Sequence, residues 1–295
     1  MSSIPKVQHY VPQFVLRNHC KGRKDHLWTF DKQQLKVFQS NIRNLASASR
    51  FYDSESADGR VSLEPTLGVI ESAAKPLIAE LLKRRRLDVW SAADREKIAL
   101  FLAVQHLRTQ AMRDMQLDMD NALRARLANE SMTDEFRRWL GEPSKDENKK
   151  IMLDLLADAH GFAPHFYDKV WFLLSSESSA TFFIGDHPIA LNNQRRDELR
   201  GTLGLAVPGI EIYFPVSPTL TLGLLSPELG VHMRRGASDP DAALICSAEN
   251  VAYQNSLQVV HASRFVYCIE NDFALVSQML TDNPSFGRGR TVHAG

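Results

Sequence analysis

Cysteine is scarce in this chain of 295 residues: Cys20, Cys246 and Cys268 are the three present, and no Cys-x-x-Cys pair occurs. An odd number of widely spaced thiols excludes a small disulfide-held scaffold and suits free thiols in a reducing compartment. Long apolar runs are also missing. The longest, Ile98 to Val104, has seven residues, against the roughly 20 that a spanning helix needs, so no membrane span is expected. Met1 to Ile4 lead almost directly to Lys6, His9 and Tyr10, with no apolar core and no small-residue cleavage site. That argues against a secretory signal and for a cytoplasmic location. Net charge is absent too, with 35 basic against 35 acidic residues, so no global field draws the molecule to nucleic acid or an anionic membrane. Nor is there a Gly-x-Ser-x-Gly elbow, a phosphate loop, a dinucleotide fingerprint or a His-Glu-x-x-His.

What remains is an ordinary folded protein, 44% hydrophobic and 24% charged, long enough for two lobes or one large domain. Pro12 can open a short helix ending near His19, and His26 to Asp31 (HLWTFD) reads as a strand. Tyr52 to Arg60 reads as a loop. Leu63, Leu67, Ile70, Ala74, Leu77, Ile78 and Leu81 recur at helical spacing, with Pro76 placed to kink the helix. Ser91 can cap a further helix through Asp94, and that helix is expected to run on as far as Glu130. Its stretch Ile98 to Val104 has no polar face and belongs in a core. Glu142 to Lys150 is the candidate linker, before a helix from Ile151 to Ala159.

Beyond it the texture changes. Val170–Leu174, Ala180–Ile184, Ile210–Phe214, Leu220–Leu224 and Arg264–Cys268 are short, β-branched or aromatic, and read as a mixed or antiparallel sheet. Pro215 and Pro218 belong at a turn or sheet edge. Helices over 248–262 and 273–280 pack on that sheet. The expected fold class is α+β: a helical N-terminal half packed on the sheet of the C-terminal half. Residues 1–142 are expected to be mainly helical and 151–282 to hold the sheet, within one interlocked domain over 1–295, and 283–295 to form a flexible tail.

Polar residues that interrupt these apolar segments are the candidate site. His9, Gln13 and Arg17 are spaced by four, although Pro12 forces extended backbone before it, so only Gln13 and Arg17 share a helical face. His9, near the helix N-terminus, could be a neutral general base or a hydrogen-bonded packing residue. Gln105 falls within the apolar face of the Ser91 helix and must find partners, with Arg108 and Arg113 on either side of that stripe. Guanidinium forks suit phosphate or carboxylate; the bland alternative is a buried network that fixes helix register. Asp186 ends an apolar strand between Gly185 and His187-Pro188, fit for a base or a metal ligand, or for an Asx turn. No second His or acid stands at zinc-like spacing, so a divalent metal has little support. Residues 1–50 hold nine Lys or Arg against two Asp, a +7 region that could meet phosphates or be solvated surface.

At these same residues the chain resembles the domain-of-unknown-function 4238 family of bacterial and phage proteins. The resemblance lies in QHYVPQFVLRN (Gln8–Asn18), HLWTFDK (His26–Lys32), ALFLAVQHLRTQAMR (Ala99–Arg113), FFIGDHPIAL (Phe182–Leu191) and FPVSP (Phe214–Pro218). Gly185-Asp186-His187-Pro188 stands where members tend to read Ser-Asp-Asn-Pro, and Arg108-Thr109-Gln110 where they read Arg-Thr-Pro. The resemblance implies no activity, but it implies that His9, Gln13, Gln105, Arg108 and Asp186 converge. The expectation is a pocket mouth shared by His9, Gln13, Gln105 and Asp186. One function is an enzyme on a phosphate-containing small molecule or nucleic acid, a nuclease or nucleotide hydrolase: His9 or Asp186 as base, Gln105 orienting water or substrate, and Gln13, Arg17, Arg108 and Arg113 binding substrate. The alternative is a non-catalytic ligand-binding or regulatory module whose polar cluster is structural.

Overall fold

The computed structural model describes residues 5–22, 24–56, 59–128, 145–176, 180–194, 203–236 and 238–288. The chain opens with β1 (Val7–His9) and α1 (Gln13–Arg17), with Pro12 at its N-cap, then β2 (His26–Asp31), β3 (Lys36–Asn41), β4 (Ser47–Ser49), β5 (Asp53–Ser56) and β6 (Gly59–Ser62). The expectation of a helical N-terminal half is thus corrected: strands come first, with β5 inside the expected loop over 52–60 and β6 starting within it. These strands have three to six residues, and β3 is largely exposed. Too few apolar residues recur for a period to show. Sharp reversals at Leu35, Ala46 and Arg50, all left-handed with φ of 52°, 46° and 51°, carry no glycine to announce them.

Helices follow. α2 (Glu64–Arg84) runs through Pro76, and α3 (Ala92–Leu107) starts at the capping box of Ser91 and Asp94. The single helix expected beyond it breaks at Arg108 (φ −86°, ψ 6°), and α4 (Gln110–Ala128) restarts after Thr109. Nothing in the local sequence is a breaker. Tertiary bonds decide it: the Arg108 guanidinium reaches Glu71 of α2, and Thr109 Oγ1 meets Nδ1 of His187. Residues 145–150 of the expected linker belong to α5 (Lys145–Ala157), and residues 142–144 lie outside those described. Asn148, Met152 and Leu156 are buried on one face of α5.

The short α6 (Ala159–Phe162) and α7 (Pro164–Tyr167) lead into β7 (Val170–Ser176), β8 (Ile184–Gly185), β9 (Ala190–Asn192), β10 (Glu211–Ser217) and β11 (Leu220–Leu225). Then come α8 (Pro227–Gly236), β12 (Ala243–Cys246), α9 (Ala248–His261), β13 (Phe265–Cys268) and α10 (Ala274–Asp282). One sheet has the order β12-β7-β11-β10-β9, antiparallel except for β12 beside β7. A second, β3-β2-β13-β8, is antiparallel and joins HLWTFD to the C-terminal strand, with Trp28 opposite Cys268, and β1-β4 and β5-β6 are two-stranded sheets. Pro215 sits inside β10, but β9 pairs only as far as Tyr213, and the register shifts between Pro215 and Ser217. Its missing N–H therefore breaks no ladder.

One core ties both halves together. Phe101 of α3 lies 5.7 Å from the Phe14 ring and 6.0 Å from that of Phe214. Residues Pro284–Arg288 of the expected tail form a 3-10 turn, where the Phe286 carbonyl accepts from buried Lys32, and residues 289–295 lie outside those described. Among the described residues no helix is long and apolar enough to cross a membrane.

Candidate functional site

The polar residues singled out in the sequence are placed as follows. Gln105 is fully buried; its Nε2 donates to the Tyr10 carbonyl at 3.0 Å, and its Oε1 accepts from Arg108 Nε at 3.0 Å and Nη2 at 2.7 Å. The third arm of the same guanidinium, Nη1, reaches Glu71 Oε1 at 2.6 Å. Arg108 is itself 0% exposed, so its charge is answered inside the fold. Tyr52 closes the cluster, its hydroxyl reaching the carbonyls of His9 and Arg108. His9 is half-buried and donates from Nε2 to the Arg43 carbonyl at 3.2 Å. Burial lowers its pKa below the ordinary imidazole value. Gln13 opens α1, half-buried, while Arg17 pairs with Asp25 at the surface. Arg113 lies over the Phe51 ring, 3.8 Å from its centre, and donates to the Phe51 carbonyl.

Asp186 anchors a different stretch of backbone. Its buried carboxylate accepts three backbone N–H groups, Ser263 at 2.6 Å and Arg264 and Phe265 at 2.9 Å each. Burial raises the carboxyl above its ordinary range, while these donors and the Lys32 ammonium pull it back. The segment before it shows why the expected strand over 180–184 shrinks to Ile184–Gly185. Helix α9 stands in for a neighbouring strand: the Asn255 amide bonds Thr181 O and Phe183 N, and that of Gln258 bonds Gly185 N and Pro188 O. One turn on, His261 Nε2 meets the Leu191 backbone. A Cβ on Gly185 would come within 3.1 Å of Ala262 Cβ and 3.3 Å of the Gln258 carbonyl, so glycine permits this close approach.

These bonds shape a cavity of about 440 Å³ where α3 gives way to α4. Leu107, Met112, Met115, Phe162, Leu191, Leu203, Leu205 and Val207 make its apolar walls. Its polar groups are His106, His165, His187, His261, Asp114, Asp118 and Ser263. None of the seven residues singled out in the sequence is among those lining this cavity.

Three imidazoles lie in a row. The His187 ring centre is 5.5 Å from that of His106 and 6.1 Å from that of His261, which it stacks upon. Burial holds His106 down to about 4, and holds His187 well below the usual imidazole range, helped by its two neighbours. Both rings are neutral at pH 7. Thr109 engages His187 Nδ1, while the enclosed Nδ1 of His106 has no hydrogen-bond partner among the described residues. Among the described residues no three His, Cys, Asp or Glu side chains are grouped to hold a metal ion. The sequence reading missed His106, His187 and His261, although two of them adjoin residues it chose, Gln105 and Asp186.

Residues 7–271 match the model of a family described as a protein of unknown function, DUF4238. No curated protein and no solved structure matches the chain.

Proposed function

We propose that this chain, which belongs to the DUF4238 family, is a small-molecule-binding protein whose site is the histidine-lined cavity. On this reading the Gln105–Arg108–Glu71 cluster and Asp186 are the framework that builds the site. The observation that carries it is the cavity itself, about 440 Å³ walled by apolar side chains with His106, His187 and His261 among its polar lining. The volume and the apolar walls with few polar groups are those of small-molecule pockets.

An enzymatic reading of the same cavity has one observation in its favour: His106 and His187 are held neutral, the state a general base needs at pH 7. The phosphate-directed version fares less well. Arg17, Arg108 and Arg113 are engaged by Asp25, by Glu71 with Gln105, and by Phe51 respectively.

A fragment library followed by thermal unfolding tests the binding reading, with Met115→Trp as a variant that fills the cavity. At about ten times its dissociation constant a fragment should raise the midpoint by roughly 3 °C or more in the parent and not in Met115→Trp. No shift in the parent, or equal shifts in both proteins, contradicts it.

A further inference from the structure

We infer that the ligand of this cavity is a cation, an amine carried on an apolar body. The inference rests on the reading of the cavity as a ligand site and concerns what that site selects. Asp114 and Asp118 stand four residues apart on α4, one turn along the same face, and both line the cavity. Asp114 accepts from Gln110 Nε2 at 2.7 Å and from Ser263 Oγ at 3.1 Å. Both donors are uncharged, so they orient the carboxylate without cancelling its charge. Asp118 has no hydrogen-bond or ion-pair partner among the described residues. No Lys or Arg is among the described residues lining the cavity, and Arg113, close along α4, turns to Phe51.

The remaining titratable groups facing the cavity are His106, His165, His187 and His261. His106 and His187 offer no positive charge at pH 7, because burial keeps them neutral. A phosphate or carboxylate entering here meets two acidic groups and loses hydration without a charged donor to replace it. An ammonium gains two carboxylates, Asp114 and Asp118, as acceptors for its three N–H groups. Leu107, Met112, Phe162 and Leu205 leave room for an apolar ring or chain.

Three probes with one indole body and different heads separate the cases: tryptamine, indole-3-ethanol and indole-3-propionate. Binding is measured by calorimetry at about pH 7.5 on the full chain and on Asp118→Asn. That substitution is isosteric at a side chain without a fold partner, and circular dichroism with thermal unfolding checks its integrity. Tryptamine should bind about tenfold or more tighter than indole-3-propionate, with indole-3-ethanol between them. In Asp118→Asn the preference should narrow to within about threefold, the alcohol being unchanged. Indole-3-propionate binding as tightly as tryptamine, or a preference untouched by Asp118→Asn, overturns the cation inference while leaving the cavity as a site. If none of the three binds, the inference fails, and the fragment experiment decides separately whether the cavity is a site at all.

Discussion

Arg108→Ala lowers the free energy of unfolding by about 3–5 kcal/mol, the loss expected when one partner of a buried ion pair is removed. The guanidinium is 0% exposed and spends three of its N–H groups on two acceptors, Gln105 Oε1 and Glu71 Oε1. Alanine leaves Glu71 without its counter-charge, leaves Gln105 Oε1 without a donor, and opens a void between α2 and α3. Arg108→Lys restores little, because a single ammonium cannot give two bonds to Gln105 while reaching Glu71 with a planar fork. Urea denaturation of the three proteins measures it. An Arg108→Ala protein within about 1 kcal/mol of the parent contradicts the structural assignment and returns this residue to ligand binding.

Asp186→Ala has an effect of similar size for a different reason. Three consecutive amides, Ser263 to Phe265, lose their acceptor at once at the mouth of β13. Each unpaired buried donor costs roughly 1–3 kcal/mol, and shared relaxation brings the expected total to about 3–5 kcal/mol. Asp186→Asn should fall between parent and alanine variant, since its carbonyl oxygen keeps part of the set while its amide N–H groups face donors. Hydrogen exchange at Ser263, Arg264 and Phe265 should quicken in both variants. Slow, parent-like exchange at those amides in Asp186→Ala rules out the carboxylate as their anchor.

Much of the frame was legible. The Ser91 capping box, the apolar stripe of α2, the strands HLWTFD and RFVYC and the burial of Gln105 each follow from a local pattern long or distinctive enough to read. The break at Arg108 does not, because the neighbouring Thr109 is held by His187, 78 positions further along the chain. Likewise Ala180–Ile184 looks like a strand, and only the side chains of Asn255 and Gln258 on a distant helix take over its backbone bonds. The site itself lay one residue from the residues chosen. Gln105 and Asp186 stood out as polar interruptions of apolar segments, and such groups in an interior first serve each other and the backbone. Their neighbours His106 and His187 face elsewhere, His106 about 100° round the helix and His187 in the bend that follows β8. There the two rings meet, and His187 stacks upon His261, an encounter that no spacing in the sequence announces.

The most direct test of the histidine-lined cavity as a binding site is the nitrogen spectrum of the histidine imidazoles, followed from about pH 7.5 to about pH 5 with and without indole-3-ethanol. His106 and His187 should stay neutral across that range, because burial has moved their protonation below it. Their resonances should shift on adding the probe, while those of His9 and His19, bonded to the carbonyls of Arg43 and Pro215, stay where they are. Rings of His106 and His187 that titrate near the ordinary imidazole value, or a probe that moves His9 and leaves the cavity rings untouched, would contradict it.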